Sequence, residues 1–271
     1  MKRFLSLFAA LLIMGSFAAR AEALTFSVGE VNFVLTGDSY FYLQQNDQGL
    51  LTELRGLFSV QSIEQGTGNT IYSFGENDEY FHIRFGALNP IAFADSTVAG
   101  SVGYYDSGYA ELYMNNSHVP YQTDIAVGPG TDPNSDFGVN IDDGTLLLGM
   151  SFVDNVFAAN PDATFRSVVT QEAANAFDLT NLVFSTLGYL NVNSGAWLDT
   201  FDTNGFVNFN DADIKLQGEA EYVTTNTNGW NVFKSTSYSA QANAVPEPST
   251  MLLLGVGILG LAATARKRAR N

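Results

Sequence analysis

The sequence predicts an all-β body: an antiparallel β-sandwich, with a jelly-roll-like barrel as the alternative. Three observations lead there. Short runs rich in β-branched and aromatic residues recur between clusters of Gly, Asn, Asp and Pro. One of them, Ile214 to Tyr222, alternates apolar and polar residues with strict period two. Helical periodicity is nearly absent, and only Gln171 to Phe177 offers a short helix. The body is taken as residues 24–240, between flanks 1–23 and 241–271.

In chain order, the first strand-like run is Leu24 to Leu35, interrupted at Gly29-Glu30. Tyr40–Leu43, Leu54–Ile63, Tyr80–Phe85, Ser101–Tyr105 and Tyr109–Met114 follow. Leu146–Val156, Phe165–Thr170, Leu182–Leu190 and Phe206–Phe209 come next, then Ile214–Val223 and Trp230–Tyr238. In the clearest run, Ile214, Leu216, Gly218, Ala220 and Tyr222 share one face, and Lys215, Gln217, Glu219 and Glu221 the other. One wet face means an antiparallel strand covering a core on one side. Asn228-Gly229 predicts a hairpin joining it to Trp230–Tyr238, and Asn204-Gly205 carries a second hairpin signal. Ser235 to Ala244 is expected to be a polar spacer after the last strand.

Cysteine is absent, so an ordinary apolar core must hold the body together. The chain has 28 acidic and 12 basic residues. Lys2, Arg3, Arg20 and Glu22 lie in the first flank; Glu247, Arg266, Lys267, Arg268 and Arg270 lie in the last. The remaining bases are Arg55, Arg84, Arg166, Lys215 and Lys234, set against 26 acids. That balance excludes nucleic acid as a partner, which needs clustered Lys and Arg. It suits an exported surface and attraction of divalent cations.

The densest candidate site is Asp132 to Asp143. Asp132, Asn134, Asp136 and Asp143 place oxygen side chains at positions 1, 3, 5 and 12 of a loop, a spacing that lets one hard cation collect them, and calcium is the expected ion. Gly138 falls one place late for an EF-hand, and a polar surface loop explains the same residues. Asp199 to Asn208 resembles a dockerin-type calcium loop but lacks its second Asp-Gly pair, and a turn also accounts for it. His82 and His118 are the only histidines and occupy unrelated settings. No metalloprotease, nucleophile-elbow or phosphate-loop motif occurs. The body is therefore read as non-catalytic; a polysaccharide-active enzyme using a carboxylate pair is the alternative. Tyr40, Tyr42, Tyr104, Tyr105, Tyr109 and Tyr113 are dense enough that some are expected to face outward, where tyrosine can stack on sugars.

The two flanks carry the sharpest signals. Lys2 and Arg3, an apolar run Phe4–Ala19, and small residues at Ala19, Ala21 and Ala23 form a signal peptide over residues 1–23, with cleavage in the Ala21–Ala23 region. At the other end, Pro246-Glu247-Pro248 precedes the uncharged run Thr250–Ala265 and then Arg266, Lys267, Arg268 and Arg270. The prolines keep the motif extended. The sixteen-residue run is short for a transmembrane helix but can insert, and the trailing basic cluster would stay cytoplasmic. This order resembles the PEP-CTERM sorting signal. The resemblance covers only Val245 to Asn271 and identifies no family for the body. It implies recognition by an exosortase, after delivery by the secretion translocon, with cutting near Pro246, Glu247 and Pro248. The protein would sit in the inner membrane by helix 250–265 before processing and afterwards at the cell surface or outside the cell. The usual context of such signals implies a structural or adhesive role with exopolysaccharide; a calcium-dependent glycan-binding module is a further alternative.

Overall fold

The computed structural model describes residues 24, 26–35, 37–45, 51–92, 94–116, 144–175, 178–225, 231–235 and 237–245. Among them, thirteen strands form one sheet. They are β1 Gly29–Val34, β2 Gly37–Gln45, β3 Leu51–Ser59, β4 Ser62–Gln65, β5 Asn69–Ser73, β6 Tyr80–Ala92 and β7 Val102–Asn115. The rest are β8 Thr145–Phe152, β9 Phe165–Gln171, β10 Val183–Ser194, β11 Ile214–Thr225, β12 Asn231–Ser235 and β13 Ser239–Ala244. Every pairing is antiparallel.

The pairings reduce these strands to eight lanes. β1 runs on into β2, β3 into β4, β5 into β6 and β12 into β13, each with a short break. β8 and β9 lie end to end between β7 and β10. Each lane pairs with the lane before it in sequence, and β12 and β13 return to pair with β2 and β1. The sheet is therefore an up-and-down meander closed on itself; β5, paired only with β4 among the described strands, keeps one open edge. This differs from the expected two-sheet sandwich and from the crossed connections of a jelly roll. Period-two alternation is common to all three; what separates them is which distant strands pair.

The described interior is mainly apolar, with the hydroxyls of Tyr105, Ser167, Thr186 and Tyr238 buried in it. Phe33, Ile83, Ala110, Leu112, Leu148, Met150, Leu190, Ile214, Leu216 and Ala240, from seven of the eight lanes, surround a residual void of about 10 Å³. That is at the lower limit for one water. The predicted faces of β11 hold: Ile214, Leu216 and Ala220 are buried, while Lys215, Gln217, Glu219 and Glu221 lie on the outer side. Glycines make room for interior rings. A Cβ on Gly218 would lie 2.4 Å from the Tyr238 Cα, and one on Gly188 would lie 2.7 Å from the Phe152 ring.

One end of the barrel is closed by aromatic rings. Residues 195–213, between β10 and β11, carry a single helical turn, Leu198–Phe201, that drops Trp197 and Phe201 into the mouth. Phe26 meets both rings edge-on at 4.9 Å, and Phe33 and Phe81 pack beside them. Leu24 and Phe26 thus belong to the core although they lie just beyond the signal-peptide region.

Other departures have local causes. Asp106-Ser107-Gly108 reads as a turn but lies inside β7. Ser107 and Gly108 take positive φ, and the Thr164 hydroxyl donates to the Ser107 carbonyl at 2.6 Å. Gln171–Phe177 forms no helix among its described residues, and Asn175 bridges to Asp178 instead. Phe206–Phe209 is a bridge and a 3-10 turn. The expected spacer Ser235–Ala244 holds β13, whose Ala240 and Ala242 are buried between β1 and β11 and whose Ala244 is buried beside β1. Three alanines keep this strand thin enough to sit over the core, a signal that polar neighbours conceal.

Candidate functional site

The end closed by the rings is also where the chain passes into its C-terminal flank. Ala244 pairs with Gly29, the first residue of β1. The Val245 N–H donates to the Thr200 carbonyl at 3.0 Å, fixing the last described residue to the helical turn. Asn243 lies against the neighbouring turn, since a Cβ on Gly205 would come within 2.7 Å of its Nδ2.

That turn is organised by Asp213, a buried carboxylate just ahead of β11. Its Oδ1 accepts the Thr203 and Asn204 N–H groups, each at 2.7 Å, and its Oδ2 accepts the Val192 N–H at 2.8 Å. A buried carboxylate needs such donors, and these are backbone groups left over where the helical turn and β10 end. The dockerin-like stretch Asp199–Asn208 is thus a loop held from inside by an acid outside that stretch. Asn204, expected in a hairpin, takes positive φ in this loop.

A second polar assembly lies on the outer face of β3, β6 and β7. Arg84 donates from Nε to Glu111 directly across the strand pair, at 2.5 Å, and from Nη2 to the Tyr113 hydroxyl at 3.4 Å. Its guanidinium also lies over the Tyr113 ring, 5.3 Å from the centroid. Burial works to lower the Arg84 pKa; the hydrogen bond to Glu111, its charge and the nearby Tyr113 and Tyr109 outweigh that and raise it. Arg55, Ser59 and His82 are buried on the same outer face. Sequence reasoning missed both assemblies. Arg84 and Glu111 each look like ordinary outward residues of separate strands, and only the register joins them.

Ala21, Ala23, Asp132, Asn134, Asp136, Asp143, His118, Pro246, Glu247 and Pro248 lie outside the described residues. The connection carrying the candidate calcium loop leaves β7 and enters β8 at the ring-closed end. Among the described residues, no three His, Asp or Glu side chains come close enough to hold a metal ion. Tyr105 and Tyr113 are buried, whereas Tyr104 and Tyr109 are half-buried on the outer side. No helix among the described residues is long and apolar enough to cross a membrane, and the run 250–265 lies outside them.

Residues 244–268 match the family model of the PEP-CTERM protein-sorting motif. This chain carries a PEP-CTERM sorting motif. The motif marks an exported protein, targeted to exosortase and processed at the membrane on its way to the cell surface. Its first residue, Ala244, is the last of β13, so motif and folded body meet without a linker. No curated protein and no solved structure is significantly similar to the chain.

Proposed function

We propose that the body is a non-catalytic surface or matrix component that associates with secreted polysaccharide after exosortase processing. The observation that carries this reading is a sorting motif joined directly to a closed barrel whose described interior is packed mainly with apolar side chains. A barrel packed in this way presents its accessible polar groups on its outer surface. Exposed acids such as Glu30, Glu219 and Glu221 and the half-buried Tyr104 and Tyr109 are among the groups it presents. Calcium held at Asp132, Asn134, Asp136 and Asp143 is the cofactor of this proposal, bridging the acidic body to acidic glycan.

The test is co-sedimentation of the mature protein with polysaccharide from its own producing cells, with calcium and with chelator. Retention that chelator reverses, with no new reducing ends, is the expected result. Depolymerisation of the polysaccharide would replace the proposal with an enzyme. Mass spectrometry of the same mature protein is expected to find both flanks removed. Recovery of Arg266 to Arg270 would refute processing.

A further inference from the structure

We infer that the ring-closed end of the barrel rests on the lipid surface while the sorting motif is intact, with the opposite end held outward. The inference rests on the motif's apolar run spanning the bilayer, as read above. Its own content comes from where the chain leaves the fold.

Val245 is pinned to Thr200 at the ring-closed end. Only residues 246–249 separate it from Thr250, where the uncharged run begins. Fully extended, the five steps from Val245 to Thr250 reach about 18 Å. The interfacial zone on one side of a bilayer takes up about 5–8 Å of that. The ring-closed end therefore lies within about 10–13 Å of the headgroups, however the connecting residues are arranged. β7 alone has 14 residues. At about 3.4 Å each, and tilted as barrel strands are, it lifts the far end by a further 30 Å or more.

The N-terminal side agrees. Leu24 and Phe26 pack into the same plug, and Gly29 pairs with Ala244, so both flanks leave the body at one end. Val28 is 67% and Val245 37% exposed there. Val28 adjoins the Gly29–Ala244 pair, and Val245 is the point of exit itself. Exposed apolar residues are not what decides the orientation, because Val98 and Val223 at the far end are 49% and 55% exposed. The point of exit decides it. Glu30, Asp202 and Asp211 are exposed around the exit, so the end has no attraction of its own for anionic lipid and is held there by the tether.

The chain has no cysteine, so single cysteines report position without background. The unprocessed chain, made in a host without exosortase, carries Val28→Cys, Val245→Cys, Val98→Cys or Val223→Cys with one fluorophore. It is reconstituted in phosphatidylcholine vesicles doped with headgroup nitroxide. Quenching severalfold stronger at positions 28 and 245 than at 98 and 223 is expected. Equal quenching at both ends, or the reverse order, in chains that float with the vesicles would overturn the orientation. Failure to float would instead overturn the membrane-spanning reading, and the inference with it.

Discussion

Replacing Asp213 tests whether a single buried acid holds the plugged end together. In the native chain its two oxygens receive three backbone N–H groups at 2.7–2.8 Å, from Val192, Thr203 and Asn204. The residue is 2% exposed, so water does not take over these bonds without local opening. Asp213→Ala leaves three buried donors without acceptors. At about 1–3 kcal/mol for each orphaned group, and allowing for partial relaxation, the loss is about 4 kcal/mol. Asp213→Asn keeps the shape and one oxygen but removes the charge and turns an NH₂ toward a donor, for a loss of about 2–3 kcal/mol. Urea unfolding of the mature protein, followed by Trp197 fluorescence, measures both. With a slope of about 2 kcal/mol per molar, the midpoint should fall by about 2 M for Ala and about 1 M for Asn. Amide exchange should accelerate at Thr203 and Asn204 while the β6–β7 amides follow only the global loss. A midpoint shift under about 0.3 M for both variants, with exchange at 203 and 204 unchanged, would refute the assignment.

Gly218→Ala should cost about 3 kcal/mol in the same assay, because the added methyl meets the Tyr238 backbone at 2.4 Å, which cannot swing aside. Arg84→Met should cost about 2–4 kcal/mol by leaving the Glu111 carboxylate without its partner, and Arg84→Met with Glu111→Leu should recover much of that loss, a coupling that a double-mutant cycle reads. Alkaline stability follows from the buried tyrosines. Burial pushes Tyr72 from 10.0 up to about 12, and raises Tyr105, Tyr189 and Tyr238 as well. Between pH 10 and 12 the unfolded chain has released the Tyr72 proton while the folded chain keeps it, so stability is intact below pH 10 and falls through that window. Tyr72→Phe should therefore flatten this decline, measured by urea midpoints at successive pH values. Calcium bound at Asp132, Asn134, Asp136 and Asp143 should raise the melting temperature relative to chelator, and identical melting would remove calcium from the proposal.

How much of this was legible in the sequence depends on the range of the interaction that decided it. β11 was legible because its pattern is local: Ile214, Leu216 and Ala220 face a core whatever lies across from them. β5 was missed because Asn69-Thr70-Ile71-Tyr72-Ser73 has only two apolar side chains, and its place comes from Tyr72 packing edge-on to Phe81 at 4.4 Å. The helical turn at Leu198–Phe201 is too short to show a period; Trp197 and Phe201 hold it by filling the barrel mouth. Asp213 had no signal at all, since its three donors come from residues 9 to 21 positions away.

Closure of the sheet lies at the far end of that scale. It requires β12 and β13 to meet β2 and β1 across nearly the whole chain, a pairing no window of residues encodes. Its consequence for function is nonetheless local. Because β13 completes the ring, the residues next to the sorting motif are fixed by β11 as far as Ala242 and by β1 as far as Ala244. With processing near Pro246, Glu247 and Pro248 as proposed, cleavage beyond Val245 breaks no strand pair among the described residues.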